Sequence, residues 1–213
     1  VLAQSHQMIR LDFEAPFAAI DAVSLAETVL MTGVNALVLS DYAKGSLEPQ
    51  SLIRKAKAAG IPVVVDPKGT DFEKYRGATL LTPNRAEFEA VCGAWSNDQE
   101  LIEKGRALMT TLDLESMLVT RSEQGMTLLH RDGSVHHFAA TAREVADVTG
   151  AGDTVIATMA AGLGSGMSLA QAAELANRAA GIVVSKLGTA TVSSRELERA
   201  LSVSSPSPTQ PAL

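Results

Sequence analysis

Residues 36–66 read ALVLSDYAKGSLEPQSLIRKAKAAGIPVVVD. Two apolar runs of strand length, Ala36-Leu-Val-Leu-Ser40 and Pro62-Val-Val-Val-Asp66, flank a segment of helical period at 49–59. A continuous apolar run suits a strand buried on both faces, and strands that alternate with helices pack as a mostly parallel sheet between two helical layers. Working outward, Thr79-Leu-Leu-Thr82 and Met117-Leu-Val-Thr120 read as further core strands, and 20–31, 83–91 and 98–112 as further helices. Pro83 is tolerated in a first helical turn, with Thr82 before it as the candidate N-cap. Met126-Thr-Leu-Leu-His130 and Ser134-Val-His-His-Phe138 predict a hairpin around Arg131-Asp132-Gly133, because Asp-Gly accepts the positive φ angles of a tight turn. After Ala151 the chain reads as nearly continuous helix, with capping boxes at Ser168-Leu-Ala-Gln171 and Ser193-Ser-Arg-Glu196. The expected fold is α/β with three layers.

Composition narrows the class. The chain has 213 residues, 46% of them hydrophobic, enough for one well-buried core. With 16 Gly, 8 Pro and one Cys it is neither collagenous, disordered nor stapled by disulfides, and Cys92, in an apolar helical segment, reads as core rather than as a nucleophile. Eighteen Lys and Arg against 24 Asp and Glu give a net charge of −6, a poor basis for binding nucleic acid or an anionic membrane, though a local phosphate site is compatible with it. No apolar run reaches the ~18 residues needed to span a bilayer, and no secretory signal is visible at the N-terminus, so a cytoplasmic location is expected. The Val1 start suggests a chain that begins partway through something longer. Residues 202–213, with four Ser and three Pro, read as a tail or linker. His6, His130, His136 and His137 show no metal-ligand spacing, and the last three fall on the hairpin.

The strongest chemical signal is Asp147-Val-Thr-Gly150-Ala151-Gly152-Asp153-Thr154, between a strand-like segment and an apolar helix. A glycine turn that opens a helix aims free backbone N–H groups at one point, where the helix dipole adds roughly half a positive charge. Such a pocket binds an anion. A carboxylate beside it would be repelled by that anion, which makes sense if Asp153 abstracts a proton. Together they suit phosphoryl transfer, with the amides stabilising the moving phosphoryl group and Asp153 activating the attacking hydroxyl. The plainer alternative is that Asp153 caps the helix and the glycines allow close packing. There is no Walker loop, and Gly162-Leu-Gly164-Ser-Gly166 follows a helix, so it reads as a turn rather than a dinucleotide fingerprint.

The Asp147–Thr154 stretch resembles the C-terminal signature of the ribokinase (PfkB) family of carbohydrate kinases. Further blocks in order narrow the resemblance: Arg10-Leu-Asp-Phe-Glu14, Ser40-Asp-Tyr-Ala-Lys-Gly45, Asp66-Pro-Lys-Gly-Thr-Asp-Phe72, Lys74-Tyr-Arg-Gly-Ala78, Leu81-Thr-Pro-Asn84, Glu87-Phe-Glu-Ala90 and Val119-Thr-Arg-Ser-Glu-Gln-Gly-Met126. They are similar to the kinase domain of the branch of that family in Gram-negative bacteria that joins heptose 7-phosphate kinase to heptose 1-phosphate adenylyltransferase. The resemblance covers 1–201 and implies a ribokinase-like (Rossmann-like) α/β/α domain. It starts well inside the family domain, so 1–201 corresponds to the C-terminal two thirds, with the small lid sheet largely absent.

What the resemblance implies is ATP-dependent phosphorylation of D-glycero-D-manno-heptose 7-phosphate at O1, giving the 1,7-bisphosphate on the way to ADP-heptose and lipopolysaccharide. Asp153 would be the base, and Gly150, Ala151 and Gly152 with the Asp153 amide the anion hole. Asn84-Arg85-Ala86-Glu87 matches the N-x-x-E element, whose Asn84 and Glu87 share one helix face toward Mg²⁺, its waters and the ATP phosphates. Thr120, Arg121 and Gly125 match a segment that lies along ATP, and Asn177 a position near the adenine. Asp41, Tyr42 and Lys44 follow a core strand, where open α/β sheets place their ligands, and Lys44 or Lys68 could neutralise phosphate oxygens. Asp147 is the remaining candidate on the substrate or phosphate side. Relatives form a homodimer through the lid sheet, which is expected here only in the full-length protein.

On the residues alone Asn84 is also a plausible helix cap, Asn177 an exposed polar residue, and each lysine a solvated loop residue. Two other functions stay open: another sugar kinase of the same family, such as a fructokinase, and a fragment that binds nucleotide without turnover.

Overall fold

A computed structural model of the chain describes Leu2–Ala3, His6–Gln7, Ser24, Thr28 and residues 32–43, 47–142 and 144–202. Leu2–Ala3 (β1) and His6–Gln7 (β2) form a two-stranded antiparallel sheet. The main sheet follows chain order: Leu37–Ser40 (β3), Val63–Asp66 (β4), Leu80–Leu81 (β5), Ser116–Thr120 (β6), Met126–His130 (β7) and Val135–Phe138 (β8). β3 to β6 are parallel, with Leu37 opposite Val63 and Leu80 opposite Ser116. β7 and β8 are added antiparallel as the expected hairpin, with Ser116 opposite His130 and Met126 opposite Phe138.

The helices are Pro49–Ala58 (α1), Arg85–Cys92 (α2), Asp98–Thr111 (α3), Ala151–Gly164 (α4), Leu169–Val184 (α5) and Ser194–Ser202 (α6). Successive strand residues point to opposite faces, and this splits the core in two. Val63, Val65, Leu81, Met117, Val119 and Leu129 pack with Leu52 and Ile53 of α1, Phe88 of α2 and Leu101 and Met109 of α3. Val64, Leu80, Leu118 and Leu128, one step out of phase, pack with Val155, Ile156 and Met159 of α4 and Ala172, Ala173 and Ala176 of α5. The three-layer α/β/α arrangement expected from the apolar runs is therefore the observed one. α4 and α5 approach closely at Gly162, where an added Cβ would lie 2.9 Å from the Ala172 Cβ.

The capping boxes at Ser168 and Ser193 form as read, each side chain bonding the amide three residues on. The start of α2 differs. Its N-cap is Asn84, not Thr82. The Thr82 hydroxyl instead donates to the Val65 carbonyl at 3.1 Å, extending the β4–β5 contact past the end of β5. Of the helix expected over 20–31 only Ser24 and Thr28 are described; both are helical, and the Thr28 hydroxyl donates to the Ser24 carbonyl. α6 takes in Ser202, and the rest of the expected tail, 203–213, lies outside the described residues, as do the block at 10–14 and Lys44. No helix among the described residues is long and apolar enough to cross a membrane.

Candidate active site

The carboxyl ends of β4, β5 and β6 open at the same end of the sheet, the position where open α/β sheets receive ligands. Asp66 ends β4, Thr82 follows β5 and Thr120 ends β6. The N-terminus of α4 comes to the same place from the other core layer. Together with Tyr42, Lys68, Asn84 and Glu87, these groups and Gly150, Gly152, Asp153 and Val155 enclose a cavity of about 200 Å³.

Gly150 is the N-cap of α4 and holds φ +80°, a left-handed conformation that costs glycine little and other residues more. It lets the chain turn sharply into the helix, so the first-turn amides, which have no partner within a helix, face the cavity. The Ala151 amide is engaged in the turn itself, donating to Val148 at 3.2 Å, which leaves Gly152 and Asp153 at the opening. Nothing lies within 4 Å of an added Gly152 Cβ, so a ligand can approach the backbone there. Asp147 braces the turn from outside the cavity: its carboxylate accepts from the Thr149 amide at 2.8 Å and the Gly188 amide at 3.2 Å, and the Thr149 bonds hold it below the ordinary carboxylate range.

Opposite the turn, Asn84 and Glu87 form a reciprocal capping box. The Asn84 side chain accepts from the Glu87 amide at 3.0 Å, and the Glu87 carboxylate accepts from the Asn84 amide at 3.1 Å. The cap reading of Asn84 is met, and because a side-chain oxygen has a second lone pair the cap does not prevent this cavity-lining residue from meeting a ligand. Asn84 is tied to Thr120 by a parallel bridge, and the Thr120 amide donates to the Pro83 carbonyl at 3.0 Å. The Lys68 ammonium donates to the other Glu87 oxygen at 3.0 Å, and this bond raises the Lys68 pKa.

Asp66 is the electrostatic centre of the cavity. Burial, then the Glu87 and Asp153 carboxylates, push it up to about 6, with Lys68 only partly offsetting them. A cavity that concentrates negative charge in this way favours a cation between its carboxylates. Among the described residues no group of three or more His, Cys, Asp or Glu could hold a metal by itself. Asp66, Asn84 and Glu87, which line the cavity together, offer oxygen donors of the kind that a hard cation such as Mg²⁺ takes alongside waters and ligand phosphates.

The other described sequence candidates are not among the residues that line the cavity. Arg85 pairs with Glu89 and lies over the Trp95 ring, and Ala86 is exposed in the first turn of α2. Arg121 also faces Trp95 and is committed to Asp98, Gln124 and Thr127. Gly125 forms the tight turn between β6 and β7. Asn177 is not an exposed helix residue: it is buried, and its side-chain amide donates to the Ala139 carbonyl at 2.7 Å, tying α5 to the segment after β8. Asp41 is buried and accepts from Lys74 and Tyr75; burial opposes its ionisation, but these bonds outweigh that and lower its pKa. Cys92 is partly buried against the core, and burial raises its thiol pKa.

Two polar cavity residues, Asp66 and Thr82, are not among the site residues expected from sequence, although both lie inside quoted motifs, whereas Tyr42 is, with Asp41 and Lys44, one of the residues expected at a ligand-binding strand end. Their common signal is position: each follows or ends an apolar strand run.

Known proteins resemble the chain on two levels. A model of the pfkB family of carbohydrate kinases matches residues 3–196. The bifunctional protein HldE of Hahella chejuensis is 56% identical over 204 residues, and that of Vibrio cholerae 57% over 205, each match covering 94% of this chain and 43% of the relative. The chain thus spans less than half the length of these relatives. Among solved structures, phosphofructokinase-2 of Escherichia coli superposes with a TM-score of 0.75 at 19% identity, over 90% of this chain and 65% of that one. Ribokinase of Arabidopsis thaliana, solved with ribose and ATP, gives 0.75 at 22%, over 87% and 61%. At these identities the superpositions establish the fold.

Proposed function

The chain belongs to the pfkB family of carbohydrate kinases, and from that premise we propose that it transfers the γ-phosphoryl group of ATP to O1 of D-glycero-D-manno-heptose 7-phosphate. The observation that carries this reading is the placement of the Asp153 carboxylate in one cavity with the glycine turn, Asn84, Glu87, Lys68 and Thr120. Similarity to the HldE proteins over nearly the whole chain supports the heptose phosphate as acceptor.

In this mechanism Asp153 accepts the proton of the sugar hydroxyl as that oxygen attacks phosphorus, and the Gly152 and Asp153 amides face the charge carried by the moving phosphoryl oxygens. Gly150 and Ala151 shape the turn that presents them. Asn84, Glu87 and Asp66 would hold Mg²⁺, which neutralises charge on the ATP phosphates when bound. Lys68 adds a positive charge on the same side. Thr120 lies along the nucleotide, Arg85, Ala86, Arg121 and Gly125 flank the cavity residues in the chain, Asn177 keeps its place as the position near the adenine, and Asp41 and Asp147 support the loops on either side; Lys44, outside the described residues, stays a candidate for a phosphate oxygen. Residues 1–201 make up this unit. With ATP and a sugar phosphate as substrates the reaction belongs in the cytoplasm, and its product feeds ADP-heptose synthesis for lipopolysaccharide.

The test is ADP release by the purified chain with Mg·ATP and either heptose 7-phosphate or an unphosphorylated hexose. Turnover is expected with the heptose phosphate, falling by about 10²- to 10⁴-fold in Asp153→Asn while ATP binding is kept. Preference for the hexose would make the chain another sugar kinase of the family, and ATP binding with no turnover on any sugar would make it a nucleotide-binding unit. Near-normal turnover in Asp153→Asn would remove the assigned base.

A further inference from the structure

The loop that follows β3 is fixed more tightly than its exposure requires. Asp41 is 8% exposed, and its amide donates to the Asp66 carbonyl at 3.1 Å, carrying the β3–β4 ladder one step further. Its carboxylate accepts from the Ala43 amide on one oxygen at 2.7 Å, and from the Lys74 ammonium and the Tyr75 hydroxyl on the other, each at 2.7 Å. Ala43 is held at φ +55°, in the left-handed region that alanine rarely adopts. The residue between these anchors is Tyr42.

Tyr42 is 60% exposed, so burial is not what holds its ring in place. Its hydroxyl donates to Oδ1 of Asp153 at 3.2 Å, across 111 residues of sequence. A carboxylate in the first turn of a helix can rotate, and a donor on one oxygen selects one orientation and leaves the second oxygen for an incoming hydroxyl. Because phosphoryl transfer depends mostly on positioning, a fixed base is worth more than a free one.

We propose that Tyr42 is the positioning residue of Asp153, holding its carboxylate by the Tyr42 hydroxyl with the buried Asp41–Lys74–Tyr75 cluster as its anchor. This rests on the reading of Asp153 as the base. Tyr42 does not itself exchange a proton with the substrate.

Turnover by the purified chain carrying Tyr42→Phe, Asp153→Ala and both is one half of the test. Tyr42→Phe is expected to lower kcat about 10-fold, the scale of one lost hydrogen bond to a charged group, with KM for ATP changed less than about twofold. In the Asp153→Ala background it should have no further effect, since the group it positions is gone. The other half needs no turnover. The chain holds two tyrosines, so labelling with ¹³Cζ-tyrosine gives two signals, from Tyr42 and Tyr75. Asp153→Ala should move the Tyr42 signal and leave that of Tyr75 unmoved. An unmoved Tyr42 signal overturns the proposal, as does a wild-type kcat in Tyr42→Phe, or a loss there that persists in the Asp153→Ala background. If Asp153→Ala itself turns over normally, the base reading fails, while the Tyr42 signal still reports whether the contact exists.

Discussion

Replacing Asp66 by Asn should stabilise the unliganded chain at neutral pH and leave it unchanged in acid. The ordinary carboxylate value is 3.8, and in the folded chain burial and the Glu87 and Asp153 charges raise Asp66 to about 6. Below pH 3.8 the group is protonated whether the chain is folded or not, and it carries no penalty. Between 3.8 and 6 the folded chain keeps a proton that the unfolded chain releases, so rising pH erodes stability; above about 6 the loss is complete. A rise of that size corresponds to roughly 3 kcal/mol at 1.36 kcal/mol per tenfold. The cavity opens to solvent, and screening reduces this to about 1 kcal/mol. For a chain of this length that is about 2–4 °C in Tm. Thermal unfolding of both proteins followed by circular dichroism from pH 3.5 to 8 reads the difference directly, since the other carboxylates titrate in both. The Asn variant should match the parent at pH 3.5 and exceed it by that margin above pH 7. A difference that stays flat with pH, or a variant less stable at pH 8, would refute the account of Asp66 as a carboxylate held among like charges.

Asn84→Ala should lose about 1 kcal/mol of stability with the cap, whereas Asn84→Asp, which keeps an acceptor for the Glu87 amide, should melt close to the parent; thermal unfolding of both variants reads the difference. Gly125→Ala should cost at least ~3 kcal/mol in urea unfolding, because at φ +80° an added Cβ would lie 1.9 Å from the Phe138 carbonyl oxygen. Trp95 is the only tryptophan and lies between Arg85 and Arg121, each attached to a neighbour that lines the cavity, so Mg·ATP should change its fluorescence, and Asp98→Ala, which removes one of the three anchors of Arg121, should reduce that change.

The sheet and its two helical layers were legible because each strand is a short apolar run whose alternate residues serve different faces, a pattern that local sequence carries in full. The hairpin at Asp132-Gly133 and the glycine turn at 150–152 were legible for the same reason, since one backbone conformation demands one residue type. At the start of α2 local rules left Thr82 and Asn84 competing as caps; the glutamate three residues after Asn84 completes a reciprocal box, and Thr82 is taken by Val65. Asn177 and Arg121 could not be placed from sequence, because their partners, Ala139 and Asp98, come from other elements. The role of Asp66 depends on carboxylates at 87 and 153, which only the packed sheet brings near it.

The antiparallel hairpin and the parallel part of the sheet also differ in how far apart in the chain their partners lie. β6, β7 and β8 pair through turns of a few residues, while β3, β4, β5 and β6 meet only after long crossovers. Loops close more slowly as they lengthen, so the hairpin edge can form early and the parallel strands must wait. The cavity draws on segments from residue 42 to residue 155. It is therefore complete only when all of these segments have met, and opening any one of the long crossovers would remove the site while the hairpin's local pairing could persist.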